Sequence, residues 1–230
     1  MRPSAYLAAA FVFVIPSRAL TNPARPLRAF DARRAPALSD TELMAIFDGR
    51  AQFKEPPFVI DIPAVVPAPY ERTFKRLRGR PQTNGYDDLI RSYAAQKKLD
   101  PRLIKSVIAA ESEFTTRAKS PAGALGLMQV MPETAGSMGV SGRSLFNPEA
   151  NIRAGTAYLA YLFEHAWKRY HLKGVAFTRA PGWLIQRIVA AYNAGPRFLA
   201  RHRLYRQTRD YVRKVLLFYR SSVTDLTAAV

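Results

Sequence analysis

From Gly85 almost to the C-terminus, apolar residues recur at the three- and four-residue spacing that places them on one face of a helix. Stretches of this kind follow one another, and loops rich in Gly and Pro separate them. No run of useful length alternates with the period of two that a half-buried strand requires. The sequence therefore predicts an all-α domain over residues 85–222, followed by a short tail, 223–230.

The first 19 residues are typical of an export signal. Arg2 precedes the apolar run Ala5–Ile15, and Ser17 and Ala19 are small enough for the positions three and one before a cleavage site. The run is shorter than the ~20 residues of a membrane-spanning helix. We expect a protein exported to the periplasm or cell envelope. The alternatives are a short hydrophobic N-terminal helix of a protein that stays in the cytoplasm, and an N-terminal membrane anchor.

Residues 20–84 are rich in Pro and Arg, and Pro at this frequency disfavours long helices and sheet ladders. We expect a mostly irregular extension. One short helix is predicted near Ser39, because Glu42 three residues later completes a capping box. This extension has three alternative roles: a linker, a basic tail that adheres to the cell wall, or a docking segment.

Charge and composition restrict the partners and the chemistry. The 35 Lys and Arg against 17 Asp and Glu give a formal net charge of +18, which favours polyanions, anionic lipid or an acidic polymer as partners. The chain has no Cys, which excludes disulfides, thiolate nucleophiles and Cys-based zinc sites. The histidines His165, His171 and His202 lack a metal-ligand spacing, so no metal or cofactor is expected.

An acidic residue occupies the apolar stripe of the helix predicted to begin at Pro101. Ile104, Val107 and Ile108 define the stripe, and its next position by the same spacing is Glu111. Apolar surroundings and the negative end of the helix dipole both favour the protonated carboxyl. A glutamic acid that is protonated near neutral pH is a proton donor.

Glu113 follows at about 200° around the helix axis and is predicted to face solvent. The two carboxylates are therefore not expected to work as a pair. The pattern alone favours the alternative, in which Glu111 is a helix-end acid that reaches water or pairs with Arg117.

The next stretch, "SPAGALGLMQVMPETA" at 120–135, combines glycines with apolar residues around one amide, Gln129. Close backbone approach at glycine, apolar surface and a few hydrogen-bonding groups suit the wall of a sugar-binding groove. A Met-rich core loop is the alternative.

Five blocks in order resemble the soluble lytic transglycosylases of the lysozyme-like superfamily across roughly residues 85–220. They are "ESEF" at 111–114, "SPAGALGLMQVMPETA" at 120–135, "NPEANIRAGTAYL" at 147–159, "AAYNAGP" at 190–196 and "TRDYV" at 208–212. The resemblance implies a lysozyme-like helical catalytic domain of the goose-type lysozyme class. Small exported proteins that accompany secretion and conjugation machines are similar in size, so such an apparatus is a possible partner.

The resemblance also implies a reaction. The substrate would be peptidoglycan, and the bond between N-acetylmuramic acid and N-acetylglucosamine would be cleaved without water, leaving a 1,6-anhydro product. Glu111 would be the single catalytic acid and base, with no cofactor. A lysozyme-type hydrolase and a non-catalytic wall-binding protein are the alternatives.

Six further residues match the family blocks. Ser120 corresponds to a serine that binds the N-acetyl region, Gln129 and Met131 to groove residues, and Tyr192 and Asn193 to the tyrosine and asparagine of "AYNAG". Tyr211 is expected to reach toward Glu111. Core packing is the alternative for the tyrosines.

Two segments depart from the family. Residues 20–84 match no family block, and His171–Trp183 is longer than the family's turn and would form a groove wall or a surface loop.

A third interpretation concerns a basic patch near the C-terminus. The basic and aromatic residues between Arg197 and Lys214 could bind nucleic acid, but the export signal disfavours this. We expect that basic patch to meet wall carboxylates or, peripherally, anionic lipid.

Overall fold

The computed structural model describes residues 59–78, 80–172, 175–201 and 203–226. Within these ranges the chain is helical, and short 3-10 turns and loops connect the helices, which confirms the all-α prediction for the part described. The α-helices are α1 (Ala68–Leu77), α2 (Asp87–Lys97), α3 (Pro101–Ser112), α4 (Pro132–Ser137), α5 (Pro148–Arg169), α6 (Gly182–Ala194) and α7 (Arg206–Tyr219). Of the described helices, none has the length and apolar character needed to cross a bilayer.

The helix boundaries follow from local sequence. The side chain of Asp100 accepts a hydrogen bond from the backbone N–H of Arg102 at 2.8 Å, so Asp100 caps α3 as predicted. Asn147 caps α5 in the same way, with 3.0 Å to the N–H of Ala150. Gly195 has a positive φ of 96° and ends α6, where a side chain would be strained.

The core forms where the predicted stripes meet. α3 packs between α2 and α7, while α5 packs against α2 and α6. The stripe residues Ile104, Val107 and Ile108 are fully buried. Because α7 lies along α3 and also contacts α6, side chains of α7 are brought to the last turn of α3.

The described residues that precede residue 85, 59–78 and 80–84, are part of the folded unit. The helix predicted near Ser39 lies outside the described residues, and the sequence predicts no helix at α1. The prolines explain the difference, because Pro67 is the N-cap of α1 and Pro69 lies in its first turn, where a missing N–H costs no hydrogen bond. Phe74 of α1 is buried and stacks on Phe218 of α7, with 4.3 Å between ring centroids.

Two other segments outside the family blocks also pack on the core. Phe177 in the insertion 171–183 contacts Phe163 and Trp167 of α5, with ring centroids 5.1 and 5.0 Å apart. At the C-terminus, Val223 and Thr224 are buried, so the predicted tail begins as packed chain.

Candidate active site

Glu111 lies in the last turn of α3 and is only partly accessible. The hydroxyl of Tyr211, on α7, donates a hydrogen bond to Oε1 of Glu111 at 2.7 Å. Lys214 follows one helical turn later and donates to the backbone carbonyl of Ala110 at 2.6 Å. The helix that packs along α3 thus delivers a neutral donor and a cation to one carboxyl group.

Burial raises the pKa of Glu111 to about 7, and the Tyr211 hydrogen bond and the charge of Lys214 oppose that rise. Burial also raises the pKa of Tyr211 well above its usual range, so its hydroxyl stays a donor. A carboxyl that titrates near neutral pH can give up a proton and take one back. The arrangement suits a single acid and base.

The prediction that Glu113 faces solvent is wrong. α3 ends at Ser112, and Glu113 adopts a left-handed backbone with a φ of 51°, so helical geometry no longer sets its direction. Its carboxylate forms an ion pair with Arg76 of α1 and lies 3.4 Å from the hydroxyl of Thr73. The two glutamates are separate, as expected, but Glu113 is engaged by the N-terminal extension.

Asn151 anchors the glycine-rich loop to α5. This fully buried side chain accepts from the N–H of Met128 at 2.7 Å and donates to the carbonyls of Leu125 and Leu145 at 2.8 Å each. Gly126, with a φ of 75°, passes so close that a Cβ atom there would collide with Asn151 and with the carbonyl of Leu145. One side chain therefore sets the path of the loop.

Three of the predicted substrate contacts hold this same loop. The hydroxyl of Tyr192 donates to the carbonyl of Met128 at 2.9 Å. The amide nitrogen of Gln129 donates to the carbonyls of Ala118 and Gly126 at 3.1 and 3.0 Å. Ser120 Oγ accepts from the N–H of Ala124 at 3.0 Å. These bonds shape the loop, and a role in substrate contact stays a prediction.

The other two predicted contacts are partly exposed. Met131 is the N-cap of α4, and Asn193 lies in the last turn of α6, next to Tyr192. The structure thus joins Tyr211 to Glu111 directly and Tyr192 to the loop, and leaves Met131 and Asn193 with accessible surface.

Sequence reasoning missed Lys214 and Asn151 as site residues. Lys214 belongs to the basic patch that is expected to meet wall carboxylates or anionic lipid, but it lies three residues after Tyr211 and therefore on the same helix face. Asn151 precedes Gly155 and Leu159 on an apolar stripe of α5. A polar residue on an apolar stripe is the signal that singled out Glu111, and it applies equally to Asn151.

Replacing Tyr211 by Phe should move the pH dependence of the site upward. Tyr211 donates to Glu111 and stabilises its carboxylate, so removing the hydroxyl raises the pKa of Glu111 further above about 7. The protonated form then persists to higher pH, and the basic limb of any activity that needs it shifts the same way. Titration of the Glu111 carboxyl by NMR measures this, with Tyr205→Phe, at an exposed position, as the control.

A pKa of Glu111 that falls, or stays unchanged, on Tyr211→Phe would contradict the hydrogen bond as the stabilising contact. Replacing Lys214 by Met should raise the pKa of Glu111 in the same direction, because it removes the positive charge.

The described residues hold no group of three or more His, Cys, Asp or Glu placed to bind a metal ion. The candidate site lies in a helical domain. It combines the titrating carboxyl of Glu111, the hydroxyl donor of Tyr211 and the glycine-rich loop that Asn151 anchors. Residues 88–214 match the family described as the Transglycosylase SLT domain. That match covers more than half of the chain, which therefore belongs to this family.

Relatives are similar over the same region. The chain is 32% identical over 150 residues to a soluble lytic murein transglycosylase of Escherichia coli strain K12, covering 58% of this chain and 22% of the relative. It is 38% identical over 119 residues to a membrane-bound lytic murein transglycosylase C of Edwardsiella ictaluri, covering 48% and 31%.

A solved structure agrees with the fold. A 70-kDa soluble lytic transglycosylase in complex with bulgecin A superposes with a TM-score of 0.50 and 27% identity, over 69% of this chain and 28% of that one. The chain thus spans less than a third of the length of each of these relatives.

Proposed function

We propose that this protein is a lytic transglycosylase that cleaves the bond between N-acetylmuramic acid and N-acetylglucosamine in peptidoglycan, with Glu111 as its single acid and base. The observation that carries the proposal is the environment of Glu111. Its carboxyl is partly buried, has a pKa of about 7 and accepts a hydrogen bond from Tyr211. Membership of the Transglycosylase SLT domain family supports the choice of substrate and reaction.

In the proposed reaction, protonated Glu111 donates its proton to the glycosidic oxygen, and the bond from that oxygen to the muramyl C1 breaks. The N-acetyl group of the substrate stabilises the electron-poor carbon. The Glu111 carboxylate then takes the proton of the muramyl C6 hydroxyl as that oxygen bonds to C1. Glu111 ends protonated, no water is consumed, and the products are a 1,6-anhydromuramyl end and a free N-acetylglucosamine hydroxyl.

The surroundings of Glu111 support a mechanism with one carboxylate. Glycosidases usually place two carboxyl groups across the scissile bond. The groups that shift the pKa of Glu111 are its buried surroundings, Tyr211 and Lys214, and none of these is a second carboxylate. The neighbouring acid, Glu113, is paired with Arg76. A lysozyme-type hydrolase remains the second candidate, favoured by the same proton donor.

The products decide between the two reactions. We expect purified sacculi treated with the protein to release 1,6-anhydromuramyl fragments, which are lighter by one water than reducing fragments. Mass spectrometry of the released fragments distinguishes the two. Reducing muropeptides as the main product would establish hydrolysis, and no release at all would leave a wall-binding protein as the function.

We further propose export to the cell envelope. The apolar run 5–15 that supports export lies outside the described residues, and the similar transglycosylases include soluble and membrane-bound proteins. Arg197, Arg201, Arg203, Arg206 and Arg209 are exposed and suit the carboxylates of wall peptides. Association with a secretion or conjugation apparatus rests on the size of the chain and its family resemblance.

A further inference from the structure

Residues 59–78, which we call the strap, are fixed to the domain through their backbone. The buried side chain of Gln186 accepts from the N–H of Ile60 at 2.5 Å and donates to the carbonyl of Ile60 at 3.0 Å. Further along, Arg213 donates to the carbonyl of Asp61 and Arg220 to that of Ile62, each at 3.3 Å. Side chains of α6, α7 and the residue after α7 therefore hold the extended part of the strap as a neighbouring strand would.

The helical part of the strap lies on α7, the helix that carries Tyr211 and Lys214. The hydroxyl of Tyr70 donates to the carbonyl of Asp210 at 3.3 Å, next to Tyr211. The rings of Phe74 and Phe218 are stacked with an angle of 7° between their planes, and both are buried. The strap thus covers the helix that supplies the partners of Glu111.

The strap also contacts the turn that follows Glu111. Glu113 and Phe114 both have a left-handed backbone, with φ values of 51° and 63°, and side chains disfavour this conformation. Phe114 is held there by burial. Glu113 is held by its ion pair with Arg76 and by Thr73, both on α1. The last turn of the helix that carries Glu111 is therefore restrained by residues that lie outside 88–214, the part of the chain that matches the family.

We propose that the strap is a positioning element of the active site, in which Arg76 holds Glu113 in its left-handed turn and thereby keeps Glu111 oriented toward Tyr211. This proposal rests on the proposed function, because it assigns the contact a role in the work of Glu111. Arg76 and Glu113 act on Glu111 only through the backbone of the turn that follows it. They are therefore positioning residues. For residues 59–78 this role in the active site replaces the linker or basic tail that the sequence suggested.

The first test compares two neighbouring cations of α1. Arg76→Gln breaks the contact with Glu113, whereas Lys75→Gln removes an equal charge from an exposed side chain whose partner, Glu71, lies on the same helix. We expect Arg76→Gln to lower kcat about tenfold with KM changed less than about twofold, because a small misplacement of a catalytic group slows chemistry more than binding. Lys75→Gln should match the unaltered protein. Equal kcat values for the two variants would overturn the proposal.

The second test is rescue by glycine. Glycine adopts a positive φ without strain, so Glu113→Gly keeps the turn without needing Arg76. We expect Arg76→Gln combined with Glu113→Gly to recover kcat to within about twofold of the unaltered protein, and Glu113→Ala to stay as slow as Arg76→Gln. A double variant as slow as Arg76→Gln would show that Arg76 acts through its charge and would overturn the proposed role in positioning.

A third measurement is independent of activity. The amide of Thr115 donates to the carbonyl of Ser112 at 3.0 Å and reports on the turn. Hydrogen exchange at this amide should be at least about tenfold faster in Arg76→Gln than in Lys75→Gln. If the unaltered protein releases nothing from sacculi, the proposed function fails while the exchange rates still decide whether the strap holds the turn. Equal exchange rates would overturn the positioning role.

Discussion

Replacing Glu111 by Gln is expected to lower the release of fragments from sacculi by at least about 1,000-fold, because one group supplies both proton transfers in the proposed reaction. Gln has the shape of the protonated acid but can neither donate nor accept the proton that the two steps require. Binding to sacculi should remain largely intact, since the substitution leaves the other residues of the site unchanged. Measuring fragment release and pelleting with sacculi on the same sample separates the two effects.

Glu111→Gln should also make the folded protein more stable at neutral pH. A variant that is inactive but more stable has lost its chemistry and not its fold. The pKa of Glu111 is raised from 4.5 to about 7, so the folded state holds a proton that the unfolded state releases between these values. The unfolding free energy therefore falls as pH rises through this range, by up to about 3 kcal/mol, and Gln at position 111 removes that loss. The gain should vanish below about pH 4.5.

Glu149→Gln is the matched control for Glu111→Gln. Glu149 is an exposed acid in the first turn of α5, 3.0 Å from the hydroxyl of Tyr93, and it has no contact with Glu111. We expect fragment release by this variant to equal that of the unaltered protein. A Glu111→Gln variant that is folded and still releases fragments at a comparable rate would exclude Glu111 as the acid.

The position of Glu111 could be predicted because it depends on local rules. The cap at Asp100 and the stripe of Ile104, Val107 and Ile108 set the start and the buried face of α3, and Glu111 follows on that face by helical spacing. Periodicity does not indicate where a helix ends. The predicted direction of the Glu113 side chain is wrong because the helix ends at Ser112, one residue earlier. The residue that holds Glu113 is Arg76, which lies 37 positions earlier and in a different helix.

The supporting contacts of the site could not be predicted because they join distant parts of the chain. Asn151 binds backbone groups of Leu125 and Met128, more than 20 positions earlier in the sequence. Tyr211 meets Glu111 across 100 positions. The family resemblance predicts the contact between Tyr211 and Glu111. No local pattern indicates which loop carbonyls a buried Asn such as Asn151 will bind.

The anchor of the glycine-rich loop leads to a large expected loss of stability. Asn151→Asp preserves the shape of the side chain but replaces the amide that donates to the carbonyls of Leu125 and Leu145. A buried carboxylate would face two acceptors, and a protonated carboxyl could satisfy one of them. We expect the free energy of unfolding at pH 7 to fall by about 3 kcal/mol, a decrease in Tm of roughly 10 °C.

Asn147→Asp makes the same chemical change one turn earlier on the same helix, and it serves as the control. Asn147 is exposed and caps α5 by accepting a hydrogen bond, which Asp does equally well. Thermal unfolding of the two variants at pH 7 and at pH 4 then isolates the buried site. The loss in Asn151→Asp should shrink at pH 4, because burial raises the pKa of the introduced carboxyl and lower pH removes its charge. If Asn151→Asp unfolds at the same temperature as Asn147→Asp, the amide is not what holds the loop, and the path of residues 125–128 must depend on the packing around Gly126 instead.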